Sequence, residues 1–235
     1  ELKVETLDLF SRRFNEVRVS ARQTDQWRMR VSARELGGEI GWQPQDKGRV
    51  VARLKRLALP PPTEPAAEPS NTPRAQADRY PALDVVVDDF SYKDRSLGRL
   101  TLSAIPEGSD WRIQHLELRN ADATLTADGY LQWQAAQPQT RMNLRLDVAD
   151  IGKFLARMRY PQGVRGGVAT LSGSLGWDGA PQDVDFPSLS GTISIDAARG
   201  QFAKLEPGIG KLLSILSLQA LPRRVTLDFK DVFSE

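Results

Sequence analysis

Residues 36–42 read Leu36-Gly37-Gly38-Glu39-Ile40-Gly41-Trp42, which puts Leu36, Gly38, Ile40 and Trp42 on one side of an extended chain and Glu39 on the other. The signature returns as Ala127, Gly129, Leu131, Trp133, again as Leu171, Gly173, Leu175, Trp177, and in weaker form as Leu189, Gly191, Ile193, Ile195. Four copies in one register predict a β-repeat. A larger unit surrounds the first two: Val19-Ser20-Ala21 precedes Trp27-Arg28-Met29 much as Leu102-Ser103-Ala104 precedes Trp111-Arg112-Ile113. Glycine weakens a strand interior, so its recurrence on a large-apolar face implies a bend or a close backbone approach there.

Outward from these copies a period of two dominates, as in Val17, Val19, Ala21; Val50, Ala52, Leu54; Leu83, Val85, Val87; and Leu144, Leu146, Val148. About fourteen candidate strands result. Turn signals such as Gln45-Asp46-Lys47-Gly48 and Pro106-Glu107-Gly108 favour short antiparallel connections, hence a meander. At ~4.8 Å per strand such a sheet is roughly 65 Å long. Two segments read as helix. One spans about 150–159, with Asp150 as N-cap and Ile151, Phe154, Leu155 and Met158 at helical spacing. The other spans 207–220, between Pro207 and Pro222, and carries the stripe Ile209, Leu212, Leu213 and Leu216, expected to cap an end of the sheet. Seven prolines between Pro60 and Pro81 predict a loop. The organisation read from this is a β-strand repeat segment at 1–59, the loop at 60–81, and a β-groove segment at 82–235.

Composition removes much of enzymology. The 235 residues contain no Cys and one His, His115, which excludes thiol nucleophiles, disulfides and multi-His metal sites. Lys and Arg total 32 against 30 Asp and Glu, too even for a dedicated nucleic-acid binder. His115 sits in an alternating strand and is expected at the surface, and the carboxylate pairs Asp88-Asp89 and Asp183 with Asp185 lie at strand ends and loops where Asp is common. Gly208-Ile209-Gly210-Lys211 is not a phosphate loop, because Leu205 and Leu212 occupy the positions of its first Gly and its Ser or Thr. No cofactor is expected. The basic pairs Arg12-Arg13 and Arg223-Arg224 and the run Arg49 to Arg56 read either as solvated strand faces or as contacts to anionic headgroups. No apolar run reaches the ~18 residues that span a bilayer. The chain opens directly on strand-like ELKVETLDLF without Met or a signal pattern, so it is expected to be cut from a longer protein.

The residues alone leave two architectures open. Either a second sheet closes the apolar face, as in a sandwich or barrel, or the bent sheet forms a trough that holds something apolar.

The strings GGVATLSGSLGW, FPSLSGTISIDAARGQF and PGIGKLLSILSLQALPRRVTLDFKDVFSE, between Arg165 and Glu235, resemble the C-terminal part of the AsmA-like YhdP family of large bacterial envelope proteins. WRIQHLELRNADATLTADGYLQW and TRMNLRLDVADIGKFLARMRYP extend the resemblance over residues 97–235, while residues 1–60 share only strand pattern and internal repeat. The resemblance implies a mainly β fold: a bent antiparallel sheet forming an elongated hydrophobic groove. It implies a periplasmic segment of a protein anchored in the inner membrane by regions absent here, carrying phospholipid or another acyl-chain lipid toward the outer membrane without enzymatic chemistry. It also implies that the native chain continues in both directions. On this reading the groove lining comprises Leu36, Ile40, Trp42, Leu102, Leu131, Trp133, Leu144, Leu146, Leu171, Leu175, Trp177 and Ile193. Lys211 and Arg223 are the candidate headgroup contacts. The alternative is a closed β-domain that scaffolds envelope protein partners and transports nothing.

Overall fold

The structure, a computed structural model, describes residues 2–9, 12–23, 27–44, 46–60, 80–93, 95–134, 137–160, 164–181, 184–202 and 225–228. They form one sheet of thirteen strands in sequence order. The strands are β1 (Leu2–Leu9), β2 (Arg12–Gln23), β3 (Trp27–Ser32), β4 (Leu36–Gln43), β5 (Arg49–Leu59), β6 (Ala82–Tyr92), β7 (Arg95–Glu107), β8 (Asp110–Arg119), β9 (Ala123–Gln134), β10 (Gln137–Val148), β11 (Val164–Asp178), β12 (Ser190–Phe202) and β13 (Val225–Asp228). Helix α1 (Ile151–Arg157) lies between β10 and β11. The predicted helix at 207–220 lies outside the described residues.

The sheet is open. β1 and β13 do not pair, so it is no barrel, and among the described residues no second sheet covers it. Thirteen strands at the usual spacing give a length of about 60 Å. The expected meander holds everywhere but at one junction, where β5 and β6 run parallel. A hairpin would have reversed the chain. A parallel neighbour requires a longer connection than a hairpin turn, and Leu59 and Ala82 are separated in sequence by the proline-rich stretch.

Bulges set the phase. Trp111 and Ile113 share an apolar face with Leu116 and Leu118, which strict alternation forbids; the register shift between Ile113 and Leu116 absorbs the extra residue. His115 falls in this shift and is exposed. A second shift, between Gly37 and Gly38, lets Leu54 and Leu57 both face inward from β5.

The core is three clusters strung along the sheet. One is built on Phe14, Val17 and Val31, a second on Leu54, Val87 and Leu100, and a third on Trp111, Ile113, Leu131 and Trp177. Leu131 and Val87 are fully buried. Helix α1 packs against β11 beside the β8–β9 turn. Asp150 caps it by accepting from the Lys153 amide at 3.0 Å, and Arg157 reaches back 2.7 Å to the buried Asp122 carboxylate in the β8–β9 turn.

Candidate functional site

Directly paired residues on neighbouring strands point to the same face, so the register can be followed from strand to strand. One row begins at Leu2 and runs through Val19, Val31, Gly38, Leu54 and Val87. It continues through Leu100, Leu118, Leu125, Leu146, Leu171 and Ile195, and the register carries it to Val225 in β13. Every strand contributes an apolar residue or a glycine.

A second row runs beside it through Met29, Ile40, Ala52, Val85, Leu102, Leu116, Ala127, Leu144, Gly173 and Ile193. A third passes through Trp42, Val50, Leu83, Ala104, Ile113, Gly129, Met142, Leu175 and Gly191. The three rows form an apolar strip running lengthwise along the sheet, each about 7 Å from the next because side chains recur on one face every two residues.

Glycine's place in these rows explains the bend. A Cβ on Gly129 would lie 2.1 Å from the Arg141 carbonyl oxygen, and one on Gly173 would lie 2.1 Å from that of Thr192. At both points the neighbouring backbone has closed into the space a side chain would occupy, which the sheet needs in order to curve around its apolar face. The result is an elongated groove with an apolar interior.

Burial along the strip is uneven. Val87 and Leu100 are buried in the middle of the sheet, whereas Leu118, Leu125, Leu146, Leu171 and Ile195 are only half-buried. From β8 onward the first row therefore presents aliphatic side chains that the described residues leave partly uncovered.

One long rim is aromatic. All five tryptophans lie near the same strand ends, the ends joined by the turns near residues 44–48, 108–109 and 179–189. Trp42 lies against Gly48, Trp111 donates to the Pro81 carbonyl at 3.0 Å, and Trp177 donates to that of Ala180 at 3.1 Å. Thr140, between Leu131 and Trp177 in the register, is fully buried and donates to the Gly179 carbonyl at 2.7 Å, so its hydroxyl is satisfied inside the wall. The opposite rim is held by polar locks. Glu35 accepts from the Asn15 amide at 2.8 Å and from its Nδ2 at 2.6 Å. Burial pushes the Glu35 carboxyl up, and these bonds outweigh it, leaving it below the ordinary range. On the outer face the bonds from Arg145 hold Asp147 low.

The register places Ile40, Leu102, Leu144, Leu146, Leu171, Leu175, Trp42 and Ile193 in the three rows. Leu131 and Trp177 stand one step toward the aromatic rim, and Trp133, opposite Pro138, stands nearer the turn. Leu36 pairs with Leu57 toward the other rim and packs beside Phe14 and Val31. Ile209, Leu212, Leu213, Leu216, Lys211 and Arg223 lie outside the described residues. Leu125 and Met142 belong to the strip as fully as their neighbours. Leu125 was legible in the alternation Ala123, Leu125, Ala127, whose small flanking residues hid it.

The chemistry of the strip is apolar contact. Among the described residues no group of three or more acidic or His side chains is arranged to hold a metal, and no helix is long and apolar enough to cross a membrane.

A family model described as YhdP protein matches residues 1–235, the whole chain. The chain belongs to the YhdP family. Membership thus extends over β1–β5, where the sequence had offered only strand pattern. Among curated proteins, this YhdP-family chain is similar to the intermembrane phospholipid transporter YhdP of Escherichia coli (strain K12), with 23% identity over 172 residues. That alignment covers 73% of this chain and 14% of the relative's length. No solved structure matches the chain.

Proposed function

We propose that this chain is a periplasmic segment of a lipid-transfer bridge in which the apolar strip shields the acyl chains of phospholipids moving between two membranes. The supporting observation is the row from Leu118 to Ile195, which stays aliphatic across five strands and is left half-buried. Leaving such a row bare to water is unfavourable by roughly 25 cal/mol for each Å² of apolar surface, and an acyl chain laid along it relieves that cost. Family membership and the activity named for the similar E. coli protein support the same reading.

The role is physical. The inner face takes the chains, the headgroups stay at the open seam, and no bond is made or broken. Because rows cross the β5–β6 junction without a break, residues 1–59 and 82–235 act in this reading as one conduit joined by the segment 60–81. The longer protein that contains this segment is anchored in the inner membrane.

The test is native mass spectrometry of the purified chain, combined with a photo-crosslinking residue placed at Leu171. The reading expects co-purifying phospholipid and crosslinks to its acyl chains. Lipid-free protein whose Leu171 probe captures only its own side chains would support a closed scaffold instead.

A further inference from the structure

The outer face of the sheet is not uniform. Residues 1–59 hold thirteen Lys and Arg against eight Asp and Glu, while the rest of the chain holds nineteen against twenty-two. The tertiary structure gathers the excess on one surface. Arg18, Arg22, Arg28, Arg30, Lys55 and Arg56 are all exposed on β2–β5, opposite the apolar strip. Among the described residues, only Arg30 of these is held by an acid, Glu39 at 3.0 Å. Arg56 donates to the carbonyls of Ala33 and Arg34, which leaves its charge unneutralised.

Two details show that this charge is not ordinary strand-face solvation. Arg22 stands directly across from Arg28 in the β2–β3 register, and neither has an acidic partner among the described residues. Like charges so placed repel, and an acidic or neutral residue at either position would relieve the repulsion. Beside them a cleft of about 860 Å³ opens, in which Arg30, Arg53 and Arg99 are paired with Glu39, Asp84 and Asp88, while Lys55 and Arg56 have no acidic partner among the described residues. The corresponding face of β9–β12 has the opposite character. It is dominated by Thr and Ser, with Arg141 and Arg145 outnumbered by Asp128, Asp147 and Asp196.

We propose that the outer face of β2–β5 docks on an anionic lipid bilayer surface. The face spans four adjacent strands, about 15 Å, so its cations match a spread of negative charge and not a point ligand. Between the arginines lie Ser20, Ser32, Gly37 and Gly41, with no aromatic residue to stack a base or anchor a protein hot spot. Contact of this kind is electrostatic and tolerant of lateral motion, as a fluid headgroup layer requires. It is independent of groove occupancy, because the two surfaces lie on opposite sides of the sheet.

The test is co-sedimentation of the whole chain with vesicles of phosphatidylcholine alone or mixed with phosphatidylglycerol. Binding is expected only to the anionic vesicles and should weaken as salt rises. R22E/R28E should weaken it by ~600-fold, given that each near-surface charge contributes about fivefold and two reversals change the charge by four. R22Q/R28Q, which removes the repulsion and so folds at least as well, should weaken it by a smaller factor. R141E/R145E on β10 should leave it unchanged, and phospholipid co-purifying with R22E/R28E should also be unchanged. Equal binding to both vesicle types, binding to neither, full binding by R22E/R28E, or an equal loss in R141E/R145E would each overturn the proposal.

Discussion

Leu146 faces Leu171 across the β10–β11 ladder, and both side chains are half-buried although they sit in the middle of an unbroken apolar row. Leu131, on the same inner face, is fully buried. One surface therefore contains sites of two kinds: those the described residues cover fully, and those they leave partly exposed.

This distinction sets the first prediction. Leu171→Arg leaves its guanidinium a route to the seam, so the chain should stay folded, at a cost of about 1–2 kcal/mol, and lose bound phospholipid. Leu131→Arg buries a charge without a partner and should unfold the domain. Circular dichroism melts beside lipid extraction separate the two outcomes. Retention of normal lipid by a folded Leu171→Arg would exclude the first row as the acyl path.

The second concerns curvature. Gly129→Ala forces a methyl to within 2.1 Å of the Arg141 oxygen and should destabilise by roughly 1–3 kcal/mol through overpacking. Gly176→Ala, whose nearest neighbour would be 3.5 Å away, should be close to neutral. Urea denaturation of both variants measures the difference, and equal midpoints would show that the bend does not depend on the close approach.

Helix α1 supplies the third. Arg157→Ala strands the Asp122 carboxylate, whose side chain is only 8% exposed, and should cost about 2 kcal/mol. Amide exchange should rise in residues 151–157 more than in β9. Asp122→Asn keeps an acceptor for Arg157 and should lose less.

A pH dependence follows from Glu35. Its folded carboxyl titrates below its ordinary value, so its bonds to Asn15 contribute stability that is fully present above that value and is lost as pH falls through the depressed one. Wild type should weaken on acidification below about pH 4.5, the ordinary value for Glu, and Glu35→Gln should show a shallower loss over that window. Denaturant midpoints at neutral and acid pH measure it. A slope unchanged by the substitution would assign the acid sensitivity to other carboxylates.

Alternation made nearly all of the strands and the helix at 151–157 legible, because a period of two and an N-cap are properties of a few consecutive residues. Leu102, Leu144 and Leu175 could likewise be assigned to an apolar face from their own neighbours. Their alignment with one another could not, since it depends on which residues pair across strands. His115 shows why: a bulge changes the phase of a strand without any distinctive residue to announce it.

By itself, then, the sequence determined a β-repeat with one apolar face and glycines recurring on it. The choice between closed sandwich and open groove lay with the tertiary structure, along with the parallel β5–β6 junction, the gathering of five tryptophans on one rim, and the opposition of Arg22 to Arg28. The physical reason is common to all four. Side-chain alternation is fixed by local backbone geometry, but register, partner choice and closure are set by contacts between residues far apart in the chain, and a slip of one residue would turn every leucine of a row to the opposite face.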